Sequence, residues 1–176
     1  MLPKLHGVIP ILVTPFDEEG GIDEESLQNL VEFNIGAGVH GLGVALGSEI
    51  FKLNEAERAQ VTRIAVEATA GRVPMVVNTG AAGTDLAVFY SQSAETAGAD
   101  ALMVPPPLAI LAPASAEEVL GYYQAIDRAV GIPIVLQDVP QAPIPPGLAL
   151  RIAESCRNVQ YIKVETPPVP SKVAAM

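Results

Sequence analysis

A single lysine stands within an apolar, β-branched stretch near the end of the chain. In NVQYIKVET, strand alternation places Ile162 and Val164 on one face, and Tyr161, Lys163 and Glu165 on the other. We expect Lys163 to be held away from water, where a lysine amine gives up its proton more readily and can attack a carbonyl carbon. The alternative is an edge-strand lysine that points into water, and the pattern alone leaves both open.

A glycine-containing turn lies between an apolar run and a capped helix in VALGSEIFKLNEAER. The backbone N–H groups of Gly47 and Ser48 are candidates to hold a carboxylate or a phosphate, with the Ser48 hydroxyl as a further donor. Glu49 would then orient the loop. The alternative is an ordinary turn between a strand and a helix.

Two polar residues, Gln137 and Asp138, end another apolar run. Gln137 shares a strand face with Val135, whereas Asp138 shares the opposite face with Leu136. One of the two must therefore point toward the loops at the strand end, so both are candidate site residues. The alternative is that the side chain caps the proline-containing turn that follows.

Other motifs that could support chemistry are weak. The glycines of GLGVALG have the spacing GxGxxxG rather than GxGxxG, and the chain contains no GxxxxGK[ST] loop. His6 and His40 do not form an HxH or HExxH pattern, and Cys156 is the only cysteine. We therefore expect neither a bound metal nor a cofactor.

Composition indicates one folded domain. The chain has 176 residues, of which 49% are hydrophobic, and its net charge of −10 disfavours nucleic acid as a partner. Its mean hydropathy is +0.35, yet no apolar run reaches the roughly 18 residues of a membrane span. We see no signal-peptide pattern at the start and expect a cytoplasmic protein without membrane association.

Six apolar, β-branched runs recur along the chain and predict strands. They begin about 30 residues apart, the length of one strand–helix unit, and such alternation implies parallel pairing. The runs are Val8–Val13, Gly41–Ala45, Val73–Val77, Ala101–Val104, Ile132–Leu136 and Val159–Val164.

Helix-start signals separate these runs. Asn54 with Glu57, and Ser115 with Glu118, have capping-box spacing. We predict five complete helices and a sixth that begins near Ser171. The count fits either a six-stranded doubly wound sheet or an incomplete (β/α)8 barrel.

Several of these segments, in their order and spacing, resemble the dihydrodipicolinate synthase / N-acetylneuraminate lyase family. They are GVIPILVTPF, LGSE before FKLNEAER, GADALMVPPP, the run that ends before Val139-Pro140, and YIKVE. The resemblance implies a (β/α)8 barrel, often assembled as a homo-oligomer. It also implies that Lys163 forms a Schiff base with pyruvate or another 2-oxo acid, and that the turn at 45–49 binds its carboxylate.

The chain departs from the family pattern at positions tied to proton transfer. Gln137 and Pro107 align with family tyrosines, Leu46 with a threonine of the turn, and Ala142 with the arginine that binds the synthase's aldehyde substrate. None of these side chains can act as an acid near neutral pH. We therefore expect a Schiff-base lyase or aldolase that is not a true dihydrodipicolinate synthase.

Two hypotheses follow from those departures. In the first, Asp138 or Glu165, a bound water or the substrate's own carboxylate supplies the proton transfer. In the second, the protein is a catalytically inactive or regulatory barrel that binds a 2-oxo acid.

Length sharpens the fold prediction. A (β/α)8 barrel has about 250 residues, so we expect residues 1–176 to form a single, incomplete barrel domain with strands 1–6 and helices 1–5. Because such an arc leaves two strand edges unpaired, we expect the isolated chain to aggregate, to pair through those edges or to be inactive.

Overall fold

The protein alternates helices and strands along the chain. A computed structural model describes residues 4–108 and 113–176. The elements are α1 (Glu24–Gly36), β1 (Leu42–Val44), α2 (Glu55–Thr69), β2 (Met75–Asn78), α3 (Thr84–Thr96), β3 (Ala101–Val104), α4 (Ala116–Ala129), β4 (Ile134–Asp138), α5 (Pro146–Ser155), β5 (Val159–Val164) and α6 (Val169–Ala174). This alternation confirms the predicted α/β class.

The backbone forms two compact units. Of the described residues, the first contains 4–78 and 93–101, and the second contains 79–92, 102–108 and 113–176. Among the described residues, no helix combines the length and the apolar character that crossing a bilayer requires.

In the first unit, two helices accompany a pair of parallel strands. β1 pairs with β2 in a register that sets Leu42 beside Met75. Leu27 and Val31 on α1 are fully buried. Ile64 on α2 is also fully buried, so these side chains form part of the core of this unit.

The predicted first strand, at 8–13, is wrong as a continuous strand. The chain makes only an isolated parallel bridge there, between Ile11 and Gly43. Gly43 donates its N–H to the carbonyl of Pro10 (2.9 Å) and accepts from the N–H of Leu12 (2.8 Å). Because Pro10 has no N–H to donate, the ladder cannot continue through it.

In the second unit, three strands pair in parallel, in the order β3, β4, β5. Leu102 on β3 is aligned with Ile134 on β4, and Gln137 on β4 is aligned with Lys163 on β5. Tyr123 on α4 is completely buried and donates its hydroxyl to the carbonyl of Val104 (2.8 Å). Burial raises the pKa of Tyr123 well above its usual value, so this hydroxyl stays protonated.

Both predicted capping boxes are confirmed. Asn54 accepts from the N–H of Glu57 (3.0 Å), and the Glu57 carboxylate accepts from the N–H of Asn54 (2.8 Å). Ser115 and Glu118 exchange the same two bonds at the start of α4. The last helix begins at Val169, two residues before the predicted position.

We predict that Asn54→Ala lowers the free energy of unfolding by about 1 kcal/mol, because an N–H at the start of α2 loses its acceptor. Urea denaturation of the purified protein measures the loss. Asn54→Asp is the matched control, since it keeps the acceptor and should remain within a few tenths of a kcal/mol of wild type. Equal losses in both variants would contradict this account of the cap.

Candidate active site

The strand register of the second unit brings Gln137 and Lys163 together. Register partners on adjacent parallel strands project to the same side of a sheet, and these two residues are partners. The Lys163 Nζ lies 2.5 Å from Oε1 of Glu165, which follows the end of β5. The other carboxylate oxygen of Glu165 accepts from Nε2 of Gln137 at 3.1 Å. We call these three residues the lysine cluster.

Exposure differs sharply within the lysine cluster. The side chain of Lys163 is 38% exposed and that of Glu165 is 30% exposed. Gln137, in contrast, is only 1% exposed. The expected dehydration of Lys163 is therefore not seen in the structure. Its ammonium group instead forms an ion pair with the Glu165 carboxylate, which also accepts a hydrogen bond from the buried Gln137.

Asp138 faces a different set of partners from Gln137, as strand alternation requires. Its buried carboxylate accepts from the N–H of Ile144 (2.8 Å), from the N–H (3.1 Å) and hydroxyl (2.5 Å) of Thr166, and from Nζ of Lys172 (2.6 Å). Burial acts to raise the pKa of Asp138. The hydrogen bonds from Lys172, Thr166 and Ile144 outweigh that effect, so the pKa falls below its ordinary value.

These contacts favour the capping alternative for Asp138 over a role in proton transfer. All four acceptor positions of its carboxylate are occupied, and the group is 0% exposed. A carboxylate held in this way resists protonation and has no free oxygen for a substrate.

Lys172 and Thr166 were not found by sequence reasoning. Lys172 lies on α6, its side chain is only 10% exposed, and its ammonium group donates to Asp138 and to the hydroxyl of Thr166. Asp138 and Lys172 are 34 positions apart, so no local pattern connects them. The only available signal was a lone basic residue in a proline-rich, apolar segment.

The turn that follows β1 belongs to the first unit. The Ser48 hydroxyl is completely buried, donates to the carbonyl of Leu12 and accepts from the N–H of Ala45 (3.0 Å). The Ser48 N–H donates to the carbonyl of Ala45 (2.9 Å). The hydroxyl and the N–H of Ser48, both predicted to bind a ligand, are thus hydrogen-bonded within the protein.

Gly47 and Glu49 remain on the surface of this turn. Gly47 is the second residue of a single 3₁₀ turn, Leu46–Ser48, so its N–H lies outside the turn's own hydrogen bonds. Glu49 adopts a left-handed conformation (φ 62°) and pairs with Nζ of Lys52 at 2.7 Å. Gly47 is itself exposed, so its N–H is one donor that this turn can present to a carboxylate.

The remaining candidates have local roles. The rings of His6 and His40 pack edge to face, with their centroids 5.1 Å apart, and His40 accepts a hydrogen bond from the N–H of Val8. Cys156 is buried, and burial raises the pKa of its thiol, which disfavours the nucleophilic thiolate. Within residues 4–108 and 113–176, no three His, Cys, Asp or Glu side chains are grouped as a metal site would require.

The fold and the strand-end lysine define an α/β protein with polar groups where parallel strands end. Comparison with known proteins gives the family. Residues 4–169 match the model of the Dihydrodipicolinate synthetase family. The chain belongs to this family, which confirms the resemblance seen in its motifs.

The relatives include lyases. The chain is 39% identical over 137 residues to an uncharacterized DapA-like lyase from Rhizobium meliloti, covering 77% of this chain and 44% of that protein. It is 38% identical over 142 residues to an N-acetylneuraminate lyase from Citrobacter koseri, covering 80% and 47%. The chain spans about half the length of the curated relatives it matches.

Solved structures agree. A chloride-inhibited dihydrodipicolinate synthase from Acinetobacter baumannii, crystallised with pyruvate, superposes with a TM-score of 0.92 at 31% identity. The match covers 98% of this chain and 60% of that one. This chain therefore has the fold of part of a (β/α)8 barrel, and the doubly wound alternative is wrong.

We predict that Asp138 makes stability depend on pH. Its pKa is lower in the folded chain than the unfolded value of about 3.9, so its contribution is complete above that value and is lost as the pH falls through the folded pKa. Wild type should therefore lose unfolding free energy more steeply than Asp138→Asn between about pH 5 and pH 3.

Denaturant unfolding at a series of pH values measures that difference. Other carboxyls whose pKa values are lowered by hydrogen bonds are present in both proteins, so their effects cancel; they are Asp23, Glu32 and Glu118. Parallel curves for the two proteins would contradict the assignment to Asp138.

Proposed function

We propose that the protein is a lyase in which Lys163 forms a Schiff base with pyruvate or another 2-oxo acid. The observation that carries this proposal is the lysine cluster at the ends of β4 and β5. The Lys163 amine attacks the 2-oxo carbon, and loss of water leaves an iminium. Because the iminium withdraws electrons, it stabilises a carbanion at the adjacent carbon, where a carbon–carbon bond can then break or form. A carbon–oxygen bond one carbon further on can break by elimination.

Glu165 is the proton carrier in this proposal. Its Oε1 lies 2.5 Å from the Lys163 Nζ, within reach to accept the proton that the ammonium group must lose before attack. The same carboxyl can return a proton when the carbinolamine loses water. Asp138, whose acceptor positions are all occupied, is assigned no proton transfer.

Gln137 orients Glu165 in this proposal. An amide nitrogen only donates, so the bond from Nε2 leaves Glu165 as the acceptor and holds one carboxylate oxygen in place. A glutamine cannot replace the acid–base chemistry of a tyrosine at this position. This supports an activity other than dihydrodipicolinate synthesis.

For the turn in the first unit, we propose the substrate carboxylate as the ligand. Gly47 is exposed and its N–H takes part in no bond of the turn, which suits it to an anion, whereas the Ser48 hydroxyl is held by Leu12 and Ala45. Glu49 acts indirectly, because its left-handed backbone closes the turn. No metal or other cofactor enters the proposed chemistry.

The wider setting is also proposed. We propose that residues 1–176 form a single part-barrel domain, that the protein acts in the cytoplasm and that it assembles as a homo-oligomer. The A. baumannii structure with pyruvate supports a small 2-oxo acid as the ligand class.

A second candidate function is binding of a 2-oxo acid without turnover. It is favoured by Gln137, a buried amide that can transfer no proton, in the position where the family resemblance implies a tyrosine. Isothermal titration with pyruvate, run beside a turnover assay, separates the two functions.

We predict that pyruvate with borohydride traps a reduced adduct on Lys163. Protein expressed from the whole coding region is incubated with both reagents, and peptide mapping by mass spectrometry locates the added mass. Lys163→Ala should give no adduct at the corresponding peptide, whereas Arg151→Gln, which alters only an exposed ion pair with Glu117, should be trapped like wild type. Absence of an adduct in wild type would contradict the proposal.

We also predict that Glu165→Gln slows trapping on the order of a hundredfold, because the amide cannot accept the lysine proton. The rate of adduct formation at saturating pyruvate measures this. The half-saturating pyruvate concentration should change little, since Glu165 is not assigned to the carboxylate. An unchanged rate would remove Glu165 from the mechanism.

A further inference from the structure

Asp138 holds the backbone at two consecutive residues after β5. Its carbonyl accepts from the N–H of Glu165 at 3.1 Å, and its carboxylate accepts from the N–H of Thr166, also at 3.1 Å. The chain around Glu165 is thus attached to the end of β4 by two hydrogen bonds from one residue. This attachment holds the backbone from which the Glu165 side chain extends.

Lys172 completes the attachment from α6. Its ammonium group bonds both Asp138 and the Thr166 hydroxyl, and Thr166 in turn donates to Asp138. The buried Asp138 carboxylate, at the end of β4, therefore bonds both α6, through Lys172, and the segment between β5 and α6, through Thr166. Bonds between charged partners are stronger than neutral ones, so we expect this junction to be held more firmly than a turn closed by backbone bonds alone.

We propose that Asp138 and Lys172 form a positioning pair that sets the Glu165 carboxylate against Lys163. The inference rests on the proposed function, because it assigns the pair to the group that takes the lysine proton. Neither residue touches the substrate in this scheme. Both act through Thr166 and the backbone of Glu165.

The charges of the region fit this assignment. Two carboxylates, on Asp138 and Glu165, are matched by two ammonium groups, on Lys172 and Lys163. Each carboxylate has its own lysine, at 2.6 Å and 2.5 Å respectively. If Lys172 is removed, Asp138 becomes an uncompensated buried charge, and the segment that it holds at Glu165 and Thr166 is disturbed.

A purely structural role would give a different result. If the Asp138–Lys172 pair served only to hold the turn that reaches Ile144, its loss would lower stability without changing the geometry between Glu165 and Lys163. The discriminating measurement therefore has to report on that geometry directly, as well as on the reaction.

Zero-length cross-linking provides that measurement. A carbodiimide activates the Glu165 carboxylate, and the Lys163 amine displaces the urea to form an amide only if the two groups are in contact. Both side chains are partly exposed, so the reagent can reach them. Peptide mapping quantifies the Lys163–Glu165 link without any need for substrate.

We expect Lys172→Met to reduce the cross-link yield roughly tenfold. The maximal rate of pyruvate trapping should fall roughly ten- to a hundredfold, with little change in the half-saturating concentration, because misplacing a reacting group weakens the reaction more than the binding. Arg151→Gln, which removes an exposed positive charge, is the matched control and should match wild type in both assays.

The double variant Asp138→Asn with Lys172→Met provides a second test in case the single variant loses its fold. It removes both charges and leaves neither one buried alone, so it should remain folded even if the single variant unfolds. Circular dichroism checks this. The double variant should show the same fall in cross-linking and trapping as a folded Lys172→Met.

The two levels of the proposal fail in different ways. If wild type gives the cross-link but no pyruvate adduct, the proposed function fails while the geometry is supported. If wild type is trapped at Lys163, and a folded variant without the Asp138–Lys172 charges keeps wild-type cross-linking and trapping rates, the positioning pair is overturned.

Discussion

The parallel register between β4 and β5 is the constraint on which the proposed site depends. It sets Gln137 beside Lys163 and Asp138 beside Val164. Since side chains alternate along a strand, one register places Gln137 in the lysine cluster and Asp138 among Ile144, Thr166 and Lys172. A slip of one residue would exchange the two environments. It would put a carboxylate beside Lys163 and an amide where a buried ammonium needs a negative partner.

Local features of this protein could be predicted from the sequence because their physics is local. The capping boxes at Asn54 and Ser115 need only residues three positions apart, and the apolar runs need only the two-residue period of a strand. Lys163 could be singled out in the same way, because it is a charged residue within an apolar run that has the strand period. The predicted strand at 8–13 was wrong because Pro10, rather than hydrophobicity, decides how far a backbone ladder extends.

Long-range pairing was not accessible in the same way. Lys172 meets Asp138 across 34 positions, and the Ser48 hydroxyl meets the Leu12 carbonyl across 36. The position of Ser48 in a turn suggested that its hydroxyl binds a ligand. In the folded chain that hydroxyl donates to the carbonyl of Leu12 instead. Such contacts depend on the folded arrangement, and periodicity carries no information about them.

The exchange of a tyrosine for Gln137, which the family resemblance implies, has a consequence for the whole site. A phenol can both give and take a proton, whereas the amide nitrogen of glutamine only donates a hydrogen bond. In the proposed reaction, proton movement therefore shifts to a group that titrates, and Gln137 contacts the Glu165 carboxylate. That shift places a stricter demand on geometry, because Glu165 follows the last residue of β5 and its backbone is held there by the bond from its N–H to the Asp138 carbonyl. In the proposed scheme the Asp138–Lys172 pair meets that demand, so that the exchange at one strand end and the buried charges beside it are parts of one arrangement.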